Sequence, residues 1–459
     1  MRKIRIAVVG PADSVALISE VSKEYGKRVE IRSFTYTKPT EVPQLMEKMG
    51  DSTDAWLFSG QVPYYYAVAS RLTSRPLFYI PHTGSSLYRV LLQISGVQKL
   101  ELDSISFDLL SRSEIEETFA DIPLTVKNIY VKEFSNIIST EELTAYHYEL
   151  WRAGKTQAAV TTLQSTYGEL KKKKMPVFRI WPLRDNIRTT LNIVIRTVEA
   201  AAFKESQIAV QHIAIDDYAA VVREAHSSYE VRRLEAALYT LLIHYTEMAK
   251  GSINVHGHGQ YTIYSTRGAV EEITDHFTIM PIKEEIVKTL SVPVSGGIGF
   301  GMTAHAAEEN AYKAMGFARH NGKGNWMVVS DEGTVSGPLS SASYLQYSLR
   351  ISDEESRKLA RLLGVSGTTV NRLLASLSKM DLEAVGAEEL AGHLSLTTRS
   401  ARRLLAVLVD HKLAVVSRQE TLHKGRPRNL YRLMLDSLSV TDSGEGGGVK
   451  NQECKKKLQ

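Results

Sequence analysis

The sequence predicts a multidomain chain of the α/β and α+β classes: two lobes of parallel sheet and helix, a mixed-sheet domain, and a C-terminal helix-turn-helix with a hairpin. Three observations carry this. Apolar strands alternate with amphipathic helices from Ile4 to Trp181. A strand ending in Asp216-Asp217 is followed by helices, a glycine-rich hairpin and the strand SVPVSGGIGFG. From Val385 to Leu435 two helices at helical apolar spacing precede two short strands. The implied division is residues 1–183, 184–206, 207–337, 338–436 and 437–459, within a length of 459 residues that exceeds what one core supports.

Composition narrows the class. At 43% apolar and 23% charged residues, the chain reads as globular rather than fibrous or wholly disordered. No run of eighteen apolar residues occurs, and MRKIRIAVVGPADS reads as a strand and turn, not a signal peptide. A cytoplasmic protein without a membrane partner is therefore expected. The single cysteine, Cys454, excludes an intrachain disulfide and a thiolate metal cluster.

In the first region, Ile4 to Val9, Val29 to Phe34, Ala55 to Phe58 and Leu77 to Ile80 read as strands, with helices at Val15 to Tyr25 and around Val42 to Met49. A second set follows: strands at Lys99–Phe107, Lys127–Phe134, Ala158–Leu163 and Pro176–Trp181, with helices between them. Alternation of this kind implies parallel sheets covered on both faces, with ligands bound beyond the carboxyl ends of the strands. Gly10, Asp13, Ser14, Ser59, Gly60, His82, Thr83, Gly84 and Ser85 occupy those ends and are the candidate effector-binding residues. Taken singly, Gly10, Gly60 and Gly84 read as turn glycines; their shared placement makes a site. Two lobes, Met1 to Ser95 and Gly96 to Pro182, imply a cleft. This order of elements resembles the cytoplasmic sensor domains related to periplasmic binding proteins, such as that of propionate-catabolism activators, and the resemblance implies a small-molecule effector.

Asn186 to Lys204 is helical throughout, with Ile187, Leu191, Ile195, Val198 and Ala202 near heptad spacing. This fits a linker helix forming a dimer seam, or a helix buried within one chain.

In the middle domain, the terminal Asp216, the turn HGHGQ, the VSGGIGFG strand and an Ala-rich helix ending in Asn-Gly come in an order that resembles the GGDEF and nucleotidyl-cyclase palm, including GTP cyclohydrolase III. That family's chemistry needs carboxylates at the first strand end and in the hairpin to hold two Mg²⁺. Asp216 matches the first position, but Gly259 and Gln260 stand where the hairpin Asp and Glu belong. The resemblance therefore implies a non-catalytic module that contributes to dimerisation, with Asp216, Gly257 and Gly259 as candidate nucleotide contacts. His256 and His258 alternate on a strand with no third ligand nearby and read as exposed hairpin residues. No metal or cofactor is expected.

Near the C-terminus, Thr369 to Lys379 reads as a supporting helix, with Arg372 on an outer face as a spare phosphate contact. Ala387 to Leu394 and a second helix containing Ala401, Leu404, Leu405 and Leu408 form the helix-turn-helix, leaving Arg399, Arg402 and Arg403 outward. Strands at Leu413–Val416 and Leu430–Leu433 flank the basic turn HKGRPR. Residues 385–435 hold nine Lys or Arg against four Asp or Glu, a surplus of five equal to that of the whole chain, 56 against 51. Net charge thus sits on the element placed to meet phosphates. The segment resembles the winged helix family. The resemblance implies double-stranded DNA as partner, with Thr397, Thr398, Arg399, Ser400, Arg402 and Arg403 in the major groove and Arg418, Lys424, Arg426 and Arg428 on backbone or minor groove.

Residues 437–459 lack apolar periodicity and read as disordered. The combined expectation is a homodimeric, effector-responsive DNA-binding regulator that is not an enzyme. The rivals are a nucleotide-converting enzyme of GTP cyclohydrolase or cyclase type, and a signalling adaptor whose C-terminal module binds protein.

Overall fold

A computed structural model describes every residue except 1–2, 51, 83, 101, 103, 122–127, 134–138, 352, 378–383, 395, 421–427 and 435–459. The chain is of mixed α/β type and divides into two compact units, Met1–Ala202 and Phe203–Gln459.

The first unit contains β1 (Ile4–Gly10), α1 (Ala12–Ser22), β2 (Val29–Thr35), α2 (Val42–Met49), β3 (Ala55–Phe58), α3 (Gln61–Ser70), β4 (Leu77–Tyr79), α4 (Gly84–Leu92), β5 (Ser104–Asp108), α5 (Arg112–Asp121), β6 (Asn128–Lys132), α6 (Thr140–Arg152), β7 (Ala158–Thr161), α7 (Gln164–Lys172), β8 (Val177–Arg179) and α8 (Arg184–Glu205). Two four-stranded parallel sheets result, ordered β2-β1-β3-β4 and β6-β5-β7-β8. β1, β3 and β7 are apolar along nearly their whole length because helices cover both faces.

The lobe boundary expected at Ser95/Gly96 is corrected by the packing. Leu87, Val90 and Leu91 of α4, with Ile94 just beyond it, join Ile105, Phe107 and Ile180 in the core of the second lobe. Ile187, Leu191, Val194 and Ile195 of α8 return to the first lobe and pack on Ile6, Val8, Ile18 and Ile80. Each lobe is therefore completed by a helix from across the junction, and among the described residues the chain crosses at 81–82 and 181–183. Residues 184–206 are accordingly not a free linker. Ile187, Leu191 and Ile195 of the apolar stripe are buried within this chain and Val198 packs half-buried beside them, while Ala202 is exposed.

The second unit begins with β9 (Ile208–Ile215), α9 (Tyr218–Glu224), α10 (Ser228–Met248), β10 (Ser252–Gly257), β11 (Gln260–Thr266), α11 (Arg267–Ile273), α12 (Lys283–Leu290), β12 (Val294–Gly301), α13 (Ala304–His320), β13 (Trp326–Val329), β14 (Thr334–Gly337) and β15 (Leu345–Ser348). They build a seven-stranded sheet, β10-β11-β9-β12-β13-β14-β15, antiparallel except for the β12–β13 pair. The boundary expected at 337/338 shifts, because β15 pairs with β14 and belongs to this sheet.

Strand period explains the glycines of β12. Val294, Ile298 and Phe300 face a core with Leu238, Leu242 and Tyr245 of α10. On the opposite face Gly297, Gly299 and Gly301 let the backbone of α13 lie directly on the strand: a Cβ on Gly299 would stand 2.0 Å from the amide nitrogen of Ala311. Ala307 and Ala311 supply the matching small residues from the helix.

The remaining elements are α14 (Glu354–Leu363), α15 (Gly367–Leu377), β16 (Val385–Gly386), α16 (Ala387–Leu394), α17 (Thr398–Asp410), β17 (Ala414–Glu420) and β18 (Arg428–Leu433). The three strands form a sheet ordered β16-β18-β17. Leu390, Leu394, Leu404, Leu405 and Leu408 pack with Leu373 and Leu377 of α15, and also with Leu363 of α14. So α14 supports this domain as well, in addition to the single supporting helix that the sequence suggested.

Gly299→Ala is expected to destabilise the second unit at the upper end of about 1–3 kcal/mol, since the clash is with backbone that cannot rotate away. Gly316→Ala, on the open side of α13 with nothing within 4 Å of its added carbon, should be neutral or stabilising by about 0.5–1 kcal/mol. Urea denaturation of both variants checks the pair.

Candidate functional site

The carboxyl ends of the two parallel sheets line a cleft within the first unit. From the first lobe come Ser14, Tyr36, Ser59, Gly60 and His82; from the second come Leu109, Thr162, Leu163, Gln164 and Arg179. The inner cavity they enclose is small, about 30 Å³, room for a water or two. A wider cavity of about 820 Å³ shares Pro11, Tyr36, Gln164 and Ser165 with it and is lined further out by Asp13, Lys38, Glu141, Thr144, Tyr148 and Lys172.

Arg179 dominates the inner end. Its side chain is 4% exposed and its guanidinium pairs with Asp13, 30% exposed, at 2.5 Å. It also donates to Gln164 and, from Nη2, to Ser14 Oγ at 3.0 Å, so this one side chain joins the end of β8 to the start of α1. Its Nε is buried with no hydrogen-bond partner. Asp13 in turn accepts from the Ser14 amide at 2.6 Å. His82 stands at the crossing between lobes with its Nδ1 buried and unpartnered; burial first, and the Arg179 charge second, push its pKa down to about 4. The Tyr36 hydroxyl is pushed well up by burial, with its hydrogen bond to Ser59 opposing.

Behind the second-lobe wall lies a chain of three buried groups. Ser106 Oγ is 2.7 Å from His147 Nδ1, and His147 Nε2 is 3.0 Å from Asp108 Oδ2. The order matches that of a nucleophile, base and orienting carboxylate. All three residues, however, have zero exposure, so no substrate reaches the hydroxyl. The chain instead positions the cleft: Asp108 Oδ1 accepts from the Thr162 amide at 3.1 Å and fixes the turn that presents Gln164.

Of the candidate effector residues, Ser14, Ser59, Gly60 and His82 line the inner cavity and Asp13 the outer one. Gly10 lies beneath, packed against Ser59. Gly84 and Ser85 are exposed at the start of α4 and Gly84 faces Thr118, so neither lines either cavity; the helix they open belongs to the other lobe. Thr83 lies outside the described residues. Arg179 and Gln164 were missed because the strand-end rule was applied to the first lobe alone; in PVFRIWP, Arg179 stands at the end of a second-lobe strand.

In the seven-stranded sheet, the candidate nucleotide contacts are already engaged. Asp216 Oδ2 accepts from Ser295 Oγ at 2.7 Å and the Gly324 amide at 2.8 Å. The Gly259 amide donates to Glu235 Oε1 at 3.0 Å, and Gly257 and Gly259 adopt left-handed backbone angles in the hairpin turn. His256 bonds Thr262 at 2.8 Å while His258 meets the edge of Tyr218. Among the described residues no group of three His, Cys, Asp or Glu is arranged to hold a metal ion.

In the C-terminal domain, Arg399, Arg402 and Arg403 are exposed on the first turns of α17, without an ion pair among the described residues. Thr397 caps the helix by accepting from the Ser400 amide at 3.2 Å, so both hydroxyls serve the helix start, and Thr398 is half-buried. Arg418 is exposed on β17, 3.8 Å from Glu420; Arg428 on β18 pairs with Glu388 at 2.5 Å. Lys424 and Arg426 lie outside the described residues. Arg372 is a correction: it does not stand on an outer face. Its Nε donates to the His393 carbonyl at 2.8 Å, Nη2 donates to Asn321 at 2.7 Å, and the guanidinium lies over Tyr347. α15 is wedged between the seven-stranded sheet and α16, which turns that side chain inward.

No known family model matches the chain, and no curated protein is similar to it in sequence. Among solved structures it is similar to an NtrC family transcriptional regulator from Clostridium acetobutylicum, at 13% identity and a TM-score of 0.35, over 44% of this chain and 100% of that one. It is also similar to a LacI family transcriptional regulator from Arthrobacter sp. FB24 in complex with lactose, at 11% identity and 0.26, over 44% and 91%. A third is an ABC domain from Streptococcus pneumonia in complex with L-Trp, at 13% and 0.29, over 43% and 85%. Scores this low leave function to be read from the residues. No described helix is long and apolar enough to cross a membrane.

Because the His82 pKa is depressed on folding, the stability it contributes is present above its unfolded value near 6.5 and is lost as pH falls from there toward about 4. His82→Gln should flatten the fall in melting temperature across that window. Parallel melts of the two proteins at pH 7.5, 5.5 and 4.5 provide the check.

Proposed function

We propose that the chain is a DNA-binding transcription regulator whose cleft in the first unit holds a small-molecule effector. The observation that carries the proposal is the exposed row of Arg399, Arg402 and Arg403 at the start of α17, next to a basic hairpin. On this reading the C-terminal domain is a winged helix: α16 and α17 form the helix-turn-helix, α17 enters the major groove, and β17 and β18 form the wing. The +5 surplus between residues 385 and 435 supplies the sequence-independent attraction to phosphates. Thr397 and Ser400 then serve the helix start rather than bases, which leaves specificity to the arginines and Thr398.

The seven-stranded sheet is read as a degenerate cyclase-like palm without catalysis. Gly259 and Gln260 replace the metal-binding carboxylates, and Asp216 is committed to Ser295 and Gly324. Its role is to carry the winged helix and contribute to a homodimer, as a palindromic or repeated operator requires.

Sequencing the DNA fragments retained by the purified full chain tests the reading directly. With an operator in hand, Arg402→Ala together with Arg403→Ala should weaken binding by about 1–3 kcal/mol for each arginine that reaches a base. The log–log salt slope should become shallower for each lost phosphate contact. A double variant whose gel shift and salt slope both match the wild type would remove α17 as the reading helix.

A further inference from the structure

The charge arrangement in the cleft restricts what fits there. Arg179 is almost wholly buried and its counter-ion is Asp13, so the inner end of the cleft is neutral as it stands. A lone anion can reach the free Nε, but one that also takes over the Nη1 held by Asp13 leaves that carboxylate without its partner. A lone cation at Asp13 strips Arg179 in the same way. Arg179 is the buried member, 4% exposed against 30% for Asp13, so leaving its charge uncompensated is the costly half. A ligand that carries both charges replaces one ion pair by two and leaves neither protein group bare.

We infer that the cleft takes a zwitterion with its carboxylate and ammonium close together, of the α-amino acid class, carboxylate toward Arg179 and ammonium toward Asp13. This rests on the proposal that the cleft is the effector site. Three further observations agree. The Arg179 Nε is buried without an acceptor, which a carboxylate oxygen supplies. Nδ1 of His82 is likewise unpartnered at the cavity wall, and burial keeps that ring neutral, which leaves Arg179 as the one cation among the described residues lining the inner cavity. The inner cavity is closed at about 30 Å³, too small for more than the charged head after the pair opens, whereas the adjoining 820 Å³ cavity, walled in part by Tyr36 and Tyr148, has room for a side chain. Thr144 Oγ1 in that outer wall also lacks a partner.

The test uses the full chain and the twenty common L-amino acids, followed by melting temperature and calorimetry. For any amino acid that binds, its des-amino acid and its carboxamide are titrated alongside. The expected result is that at least one amino acid binds and that both analogues bind about 10- to 100-fold more weakly, the loss of one charge-assisted hydrogen bond. Asp13→Asn should weaken the amino acid by a similar factor while narrowing or reversing the preference over the des-amino acid. A merely structural role for Asp13 would lower all three affinities together. A des-amino acid that binds wild type as tightly as its parent overturns the zwitterion and leaves the cleft as effector site. If none of the twenty binds, the zwitterion falls; a metabolite extract that raises the melting temperature of wild type but not of Arg179→Gln then upholds the effector site, and one that does nothing removes both.

Discussion

The first unit depends on the exchange of helices between its lobes. α4 leaves the end of β4 and completes the core of the second lobe; α8 leaves the end of β8 and completes the core of the first. Neither hydrophobic core is therefore split by the cleft, and among the described residues the backbone runs between the lobes at 81–82 and 181–183. Relative rotation of the lobes costs no buried apolar surface in either core. What resists it is a small apolar contact, Val62 and Tyr66 of α3 on Leu109, Leu143 and Leu163 of the second lobe, together with Arg179, at the end of one sheet, bonded to Asp13 and Ser14 at the start of α1.

In the second unit the controlling constraint is steric. A strand with glycine at alternate positions lets α13 settle at backbone contact, and that close approach fixes the sheet on which all the later elements are hung. The turns of the same sheet are tied by carboxylates. Asp216 ties the end of β9 to Ser295 and Gly324, and Glu235, from α10, receives the Gly259 amide and the Tyr218 hydroxyl. Both carboxylates serve here as acceptors for the turns they face.

Much of the fold was legible because period and punctuation agree: continuous apolar runs in β1 and β3, helical apolar spacing in α16 and α17, and glycine-rich turns. What was not legible required knowledge of which core a helix joins. The spacing of Ile187, Leu191 and Ile195 is the same whether the stripe meets a second copy or its own first lobe. Arg372 follows the same logic, since a cation at a polar helical position reads as surface until the neighbouring sheet is in place. In the candidate site, Ser14, Ser59, Gly60 and His82 were found by the strand-end rule, whereas Arg179 needed the rule applied to the second sheet. The burial of Ser106, His147 and Asp108 had no sequence signal, because those residues come together only across β5 and α6.

Arg372 also determines how the last domain is carried. Its guanidinium reaches Asn321 at the end of α13 and the backbone of His393 in α16 at once, with Tyr347 of β15 beneath it. Asn371, one residue earlier, donates to the carbonyls of Ser348 and Arg350. The terminal helices are thus keyed to the sheet edge like a blade set in a handle, not strung on a loose tether. Their pitch is set by the edge strand, and grafting them elsewhere without β15 and α15 would forfeit that alignment.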